Sequence, residues 1–212
     1  MRFETGTNPV VCVCVQTETP KFSQLRLLYP GYRHHGGRYS TDDVVQLVLG
    51  VNASSTASLA DRESVRGGSA AVRLSWTLNR YGGRHALTRD AIALRDSVTG
   101  VDGRQYIFRD EALGRFLAVR YGDPVVDRGH EGSSTRRRRR RRRSWPSLAG
   151  RQGIVRVVRH AGGRDDGHVG LWDCDRFHES RDWTLDAHLL TVEFWESAGT
   201  PAVSVYSDST LY

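Results

Sequence analysis

An α+β fold is predicted by three observations: glycine-terminated helical segments fill the first half of the chain, the apolar period shortens to strand-like in the last third, and a glycine-bearing link joins the first two strands there. With 212 residues and 38% hydrophobic content the chain can bury one sizeable core, and it is too short to argue for two.

The domain is expected to start near Lys21, after an arm of residues 1–20 in which Pro9 and Pro20 interrupt regular structure and which packs loosely or not at all. KFSQLRLLYPGY sets Phe22, Leu25, Leu28 and Tyr29 at helical spacing, and Pro30 with Gly31 ends the pattern. TDDVVQLVLGVN repeats it, with Thr41 or Asp42 as cap, Val44, Val45, Leu47, Val48 and Leu49 as apolar surface, and Gly50 as stop. A Ser/Ala-rich linker follows. GGSAAVRLSWTLN is then the clearest helix, capped by Ser69, with Ala71, Leu74, Thr77 and Leu78 on one stripe and Asn79, Gly82 and Gly83 at its end. Ala70 falls in its first turn. QYIF reads as a short strand, and RDEALGRFLAVRYGDP as a helix capped by Asp110 with Leu113, Phe116 and Leu117 inward and Gly122 as terminator.

A polar insertion spans about 127–147 and contains eight consecutive arginines, Arg136 to Arg143. Beyond it, RQGIVRVVRH is a β-rich run, GHVGLWD alternates Val169 and Leu171 against His168, Gly170 and Trp172, and LTVEFWE alternates Val192 and Phe194. The link AGGRDDG suits a hairpin, so the sheet is expected to be small and antiparallel. Residues 198–212 are expected to form a C-terminal tail.

The +7 charge argues little about the domain itself. Setting aside Arg136 to Arg143 leaves 23 basic against 24 acidic residues, so any nonspecific polyanion contact belongs to the arginine run, which its own repulsion is expected to extend. No apolar run is long enough to span a membrane, and NPVVCVCVQ lacks the basic leader and cleavage site of a signal peptide. Cys12, Cys14 and Cys174 are an odd set without CxxC spacing, from which no disulfide framework follows. His178, His188 and Cys174 match no common zinc spacing, and no metal or other cofactor is expected.

A cysteine at a helix N-terminus is activated because exposed amides favour the thiolate, and a histidine on a facing strand exchanges its proton while a third polar group orients the ring. This chain has the helix start and the strand histidine in that order, with alanine at the sulfur position.

AAVRLSWTLN resembles the motif C-A/P-x-R-M/L-S-x-x-L-N of the fourth family of type VI secretion amidase effectors, papain-like enzymes related to NlpC-type cysteine peptidases. GHVGLWD resembles that family's G-H-x-x-L-W-N/D segment. QYIFRDEALGRFL and RQGIVRVVRH resemble the intervening strand-helix and strand, so the resemblance covers residues 21–197 in order. It implies a papain-like NlpC-type fold, with N-terminal helices packed on the sheet. The implied activity is hydrolysis of the bond between D-glutamate and meso-diaminopimelate in peptidoglycan stem peptides, by an antibacterial toxin delivered to a target cell's periplasm and matched by a cognate immunity protein.

Carried over by residue, the resemblance puts the nucleophile position at Ala70, the general base at His168 and the motif's helix arginine at Arg73, as a substrate contact. The orienting aspartate is Asp186, with Asp182 and Asp175 as alternatives. A methyl group cannot attack a carbonyl, so the chain is expected to be inactive as written. Ser69, held as a cap, and Cys174, in a loop without a helix terminus, are poor substitutes. The alternative is a noncatalytic pseudoenzyme that still grips the stem peptide, or a basic polyanion-binding module.

Overall fold

A computed structural model describes residues 17–50, 58–88, 94–128, 145, 147–161, 164–185 and 189–199. Its helices are α1 (Phe22–Leu28), α2 (Thr41–Leu49), α3 (Leu59–Gly67), α4 (Ser69–Tyr81) and α5 (Asp110–Tyr121). A two-stranded hairpin, β1 (Ser97–Thr99) with β2 (Gln105–Ile107), precedes α5. The main sheet contains β3 (Val125–Arg128), β4 (Arg151–Ala161), β5 (Arg164–Cys174), β6 (Arg176–Phe177) and β7 (Leu189–Glu196), in the order β3-β7-β4-β5-β6 and antiparallel throughout. The three strands expected from sequence are its centre, β7-β4-β5, and the expected hairpin joins β4 to β5.

Several expectations are corrected. α3 lies where a linker was read. Helix α2 is capped by Ser40, not Thr41 or Asp42, through a reciprocal capping box with Asp43. Asp110 is the first residue of α5 and not its cap. Residues 17–20 are tied down: Thr17 N–H donates to Arg120 O (3.0 Å), Thr19 Oγ1 to Glu196 O (2.5 Å), and Pro20 is buried. The insertion also begins and ends in structure, since Val125–Arg128 pairs with β7, Ser147 N–H donates to Asp127, and Trp145 and Leu148 are buried. Arg136 to Arg143, Cys12, Cys14, Asp186 and His188 lie outside the described residues.

The alternation read in GHVGLWD does not separate a wet face from a dry one, because helices cover one face of the sheet and aromatic side chains the other. Ile154, Val169, Leu171 and Trp195 pack with Leu74, Leu78, Leu113 and Leu117 of α4 and α5. On the opposite face Val155, Val157, Val192, Phe194 and Trp172 pack with Trp145, Leu148 and Phe177. Each such side chain contributes about 1.5–3 kcal/mol of burial, which is why both faces can be this apolar.

Helix α4 is buried nearly all round. Val72 turns to a third cluster with Val44, Val48 and Val65, while Leu74 and Leu78 face the sheet. Its buried polar side chains therefore bond to backbone. Ser75 Oγ donates to Ile107 O and accepts from Ile107 N–H (3.1 Å), and Asn79 donates to Gln105 O and accepts from Leu87 N–H, both at 2.8 Å. These bonds hold the helix against β2 and fix where its first turn lies.

Candidate active site

Gly68 sets the start of α4. It ends α3 through its N–H to Ser64 O (2.9 Å) and begins α4 by accepting from Val72 N–H (3.0 Å). A Cβ at this position would lie 1.8 Å from Phe108 O, so a side chain has no room. Ser69 is consequently the first helical residue and not the cap that the sequence suggested. Its hydroxyl lies beside the Tyr32 phenol and does not cap the helix. Ala70 follows, in the first turn and 8% exposed.

His168 lies on β5 opposite Val157 and is 5% exposed. Its ring is enclosed by aromatic neighbours: Trp183 stacks on it at 4.3 Å and 20°, Phe177 meets it edge-on at 5.7 Å, and Tyr32 is tilted across it at 6.2 Å. Ser180 Oγ pairs with His168 Nε2 at 3.4 Å. Tyr32 is therefore the neighbour shared by the helix start and the imidazole, touching Ser69 on one side and His168 on the other. Burial pushes the Tyr32 phenol up, so it is a neutral hydrogen-bonding group near neutral pH.

Arg73 occupies a different place from the one the resemblance implied. It is wholly buried, donating to the carbonyls of Pro30, Gly31 (3.2 Å) and Tyr39 (3.3 Å), with its guanidinium 3.9 Å from the Tyr32 ring centroid. It secures the loop that carries Tyr32 and has no surface to offer a substrate; burial also lowers its pKa. Asp175 is exposed beside Arg176 (3.6 Å), and Asp182 accepts from Thr184 N–H (3.0 Å) and Thr184 Oγ1 (2.5 Å), so these two carboxylates serve their own turns. Cys174 is exposed at the far end of β5 opposite Arg151, and its thiol is pushed up by desolvation and then by Asp173 and Asp175, the reverse of activation.

Tyr32, Ser180 and Trp183 escaped the sequence reading. Tyr32 follows a helix stop and the other two lie in an aperiodic stretch, so no local pattern marks them.

The family described as type VI secretion system (T6SS), amidase effector protein 4 (Tae4) matches residues 68–198, from the glycine that starts α4 to the end of the sheet. The chain belongs to the Tae4 family. Similar solved structures include the effector Tae4 from Salmonella typhimurium in complex with the immunity Tai4 from Enterobacter cloacae, at 20% identity and TM-score 0.58, covering 84% of this chain and 99% of that one. The type VI effector Tae4 from Enterobacter cloacae is similar at 18% identity and TM-score 0.56, covering 86% and 99%. These likenesses establish a shared α+β fold. No curated protein matches the chain significantly. Tae4 membership makes the protein an amidase-type, peptidoglycan-directed antibacterial effector by family, and among the described residues no helix is long and apolar enough to cross a membrane.

Proposed function

We propose that this chain is a papain-like, NlpC-type amidase scaffold that grips the peptidoglycan stem peptide across the bond between D-glutamate and meso-diaminopimelate, and that it does not cleave that bond as written. The observation that carries the reading is Ala70 in the first turn of α4, with Tyr32 touching both the adjacent Ser69 and His168. With a cysteine at position 70, the amides of the first turn would favour a thiolate and His168 would hold its proton. The thiolate would attack the D-glutamyl carbonyl, His168 would deliver the proton to the departing amine, and water would then release the acyl group. The chemistry calls for no cofactor. Asp186 is the orienting carboxylate in this reading.

Delivery through the secretion apparatus to a target cell's periplasm and neutralisation by a cognate immunity protein follow from the family; the Salmonella typhimurium and Enterobacter cloacae relatives are solved with Tai4 immunity proteins. Arg136 to Arg143 would add nonspecific attraction to anionic polymers, weakening as salt rises. Ala70 itself favours a second reading, a noncatalytic binder of the same peptide.

Hydrolysis of purified peptidoglycan fragments by Ala70→Cys beside the unaltered chain, read by mass spectrometry, tests the proposal. Release of stem peptides cut after D-glutamate by the cysteine variant alone is the expected result. A folded but inert Ala70→Cys would reject the amidase reading and leave the binder.

A further inference from the structure

A row of three rings flanked by two arginines runs through the site. The Arg73 guanidinium lies over Tyr32 (3.9 Å), Tyr32 is tilted against His168 (6.2 Å), Trp183 stacks on His168 (4.3 Å), and the Arg181 guanidinium lies over Trp183 (5.0 Å). The series begins at a wholly buried arginine and ends at an exposed one. Arg33, Arg66, Arg115, Arg151 and Arg156 each meet a carboxylate at 2.5–2.8 Å. Arg181 has no carboxylate partner among the described residues, and its neighbour Ser180 is the residue that pairs with His168. Arg159 of β4 also lies over the Trp183 ring, at 5.3 Å, so the indole holds two cations, of which Arg181 is the one beside Ser180; Arg80 and Arg120 lie over rings on the last turns of α4 and α5, and Arg151 over Phe194.

We infer that Arg181, steadied on the Trp183 ring, is a specificity-determining residue that receives a carboxylate of an acidic peptide placed at His168. A planar guanidinium fork matches a carboxylate in two parallel hydrogen bonds, and stacking on indole limits the freedom it would otherwise lose on binding. The inference rests on the amidase-scaffold reading. In that substrate the glutamate side chain forms the scissile amide, so its α-carboxylate stays free a few bonds from the reacting carbon; the diaminopimelate carboxylates are the other source.

The test is binding by the chain as it stands, which cannot consume its ligand, to L-Ala–γ-D-Glu–meso-diaminopimelate tripeptide and to two analogues, one amidated at the glutamate α-carboxylate and one at the diaminopimelate carboxylates. Arg181→Gln is expected to weaken the acidic tripeptide about three- to tenfold, as for a semi-exposed charge-assisted pair, and Arg181→Lys less. One analogue should bind the unaltered chain as weakly as the acidic peptide binds Arg181→Gln and be insensitive to that substitution, which names the carboxylate. Equal weakening of all three peptides, or of none, would overturn the role of Arg181. The same substitution in Ala70→Cys separates the two failures: cleavage with KM indifferent to Arg181 rejects the inference and keeps the amidase reading, whereas absence of both binding and cleavage rejects both.

Discussion

Replacing Arg73 by methionine keeps the length of the side chain and removes its charge from the interior. The Pro30 carbonyl oxygen loses its donor, the Gly31 and Tyr39 oxygens lose the guanidinium but keep the N–H groups of Tyr39 and Arg33, and the Tyr32 ring loses the cation above it. The orphaned buried acceptor costs about 1–3 kcal/mol, and each of the two lost bonds to a charged donor about 1.5–3 kcal/mol. Relief from burying a guanidinium returns several kcal/mol, so a net loss of about 3 kcal/mol is expected. For a chain of this size that is a fall in Tm of roughly 6–12 °C, measurable by far-UV circular dichroism alongside urea unfolding. The loop bearing Tyr32 should loosen as well, shifting the His168 ring resonances in NMR spectra. A variant within about 1 kcal/mol of the parent and with unmoved His168 resonances would refute the view that Arg73 braces the site.

Asn79→Ala should destabilise the fold by about 2–3 kcal/mol in urea unfolding, because it strands the buried Leu87 N–H and Gln105 carbonyl together. Gly68→Ala must displace the Phe108 carbonyl and is expected to cost about 1–3 kcal/mol, with a shift of the α4 start visible in a crystal structure. His85, beside Tyr121 (3.1 Å), has its pKa lowered by burial and then by Arg120 and Arg84. The unfolded chain then binds more protons between the folded value and about 6.5, so His85 contributes full stability above that range and loses it as pH falls through it. His85→Gln should flatten this slope in unfolding measured from pH 7.5 to pH 5.

Much of the architecture could be read locally because it is written in period and punctuation. The apolar stripe of α4, the glycines that end α2, α4 and α5, and the β-rich runs of β4, β5 and β7 depend on neighbours in the chain, and they suffice to put Ala70 at a helix start and His168 on a strand. The absence of a thiol at position 70 is likewise a property of the sequence. Elements too short or too polar to carry a period, such as the two residues of β6 and the charged helix α3, left no such trace.

What surrounds His168 was decided only when distant segments met. Tyr32, Ser180 and Trp183 reach the imidazole from two loops on either side of the sheet's central hairpin in sequence. Arg73 is a structural brace because α4 turns it into the Pro30–Gly31 carbonyls, 43 and 42 positions earlier in the chain, a pairing no helical spacing encodes. Likewise the second face of the sheet is dry because Trp145 and Leu148, beyond the arginine run, fold back over it. Local residues determine which groups stand on which element; burial and hydrogen bonding between remote segments determine which of those groups are available for chemistry.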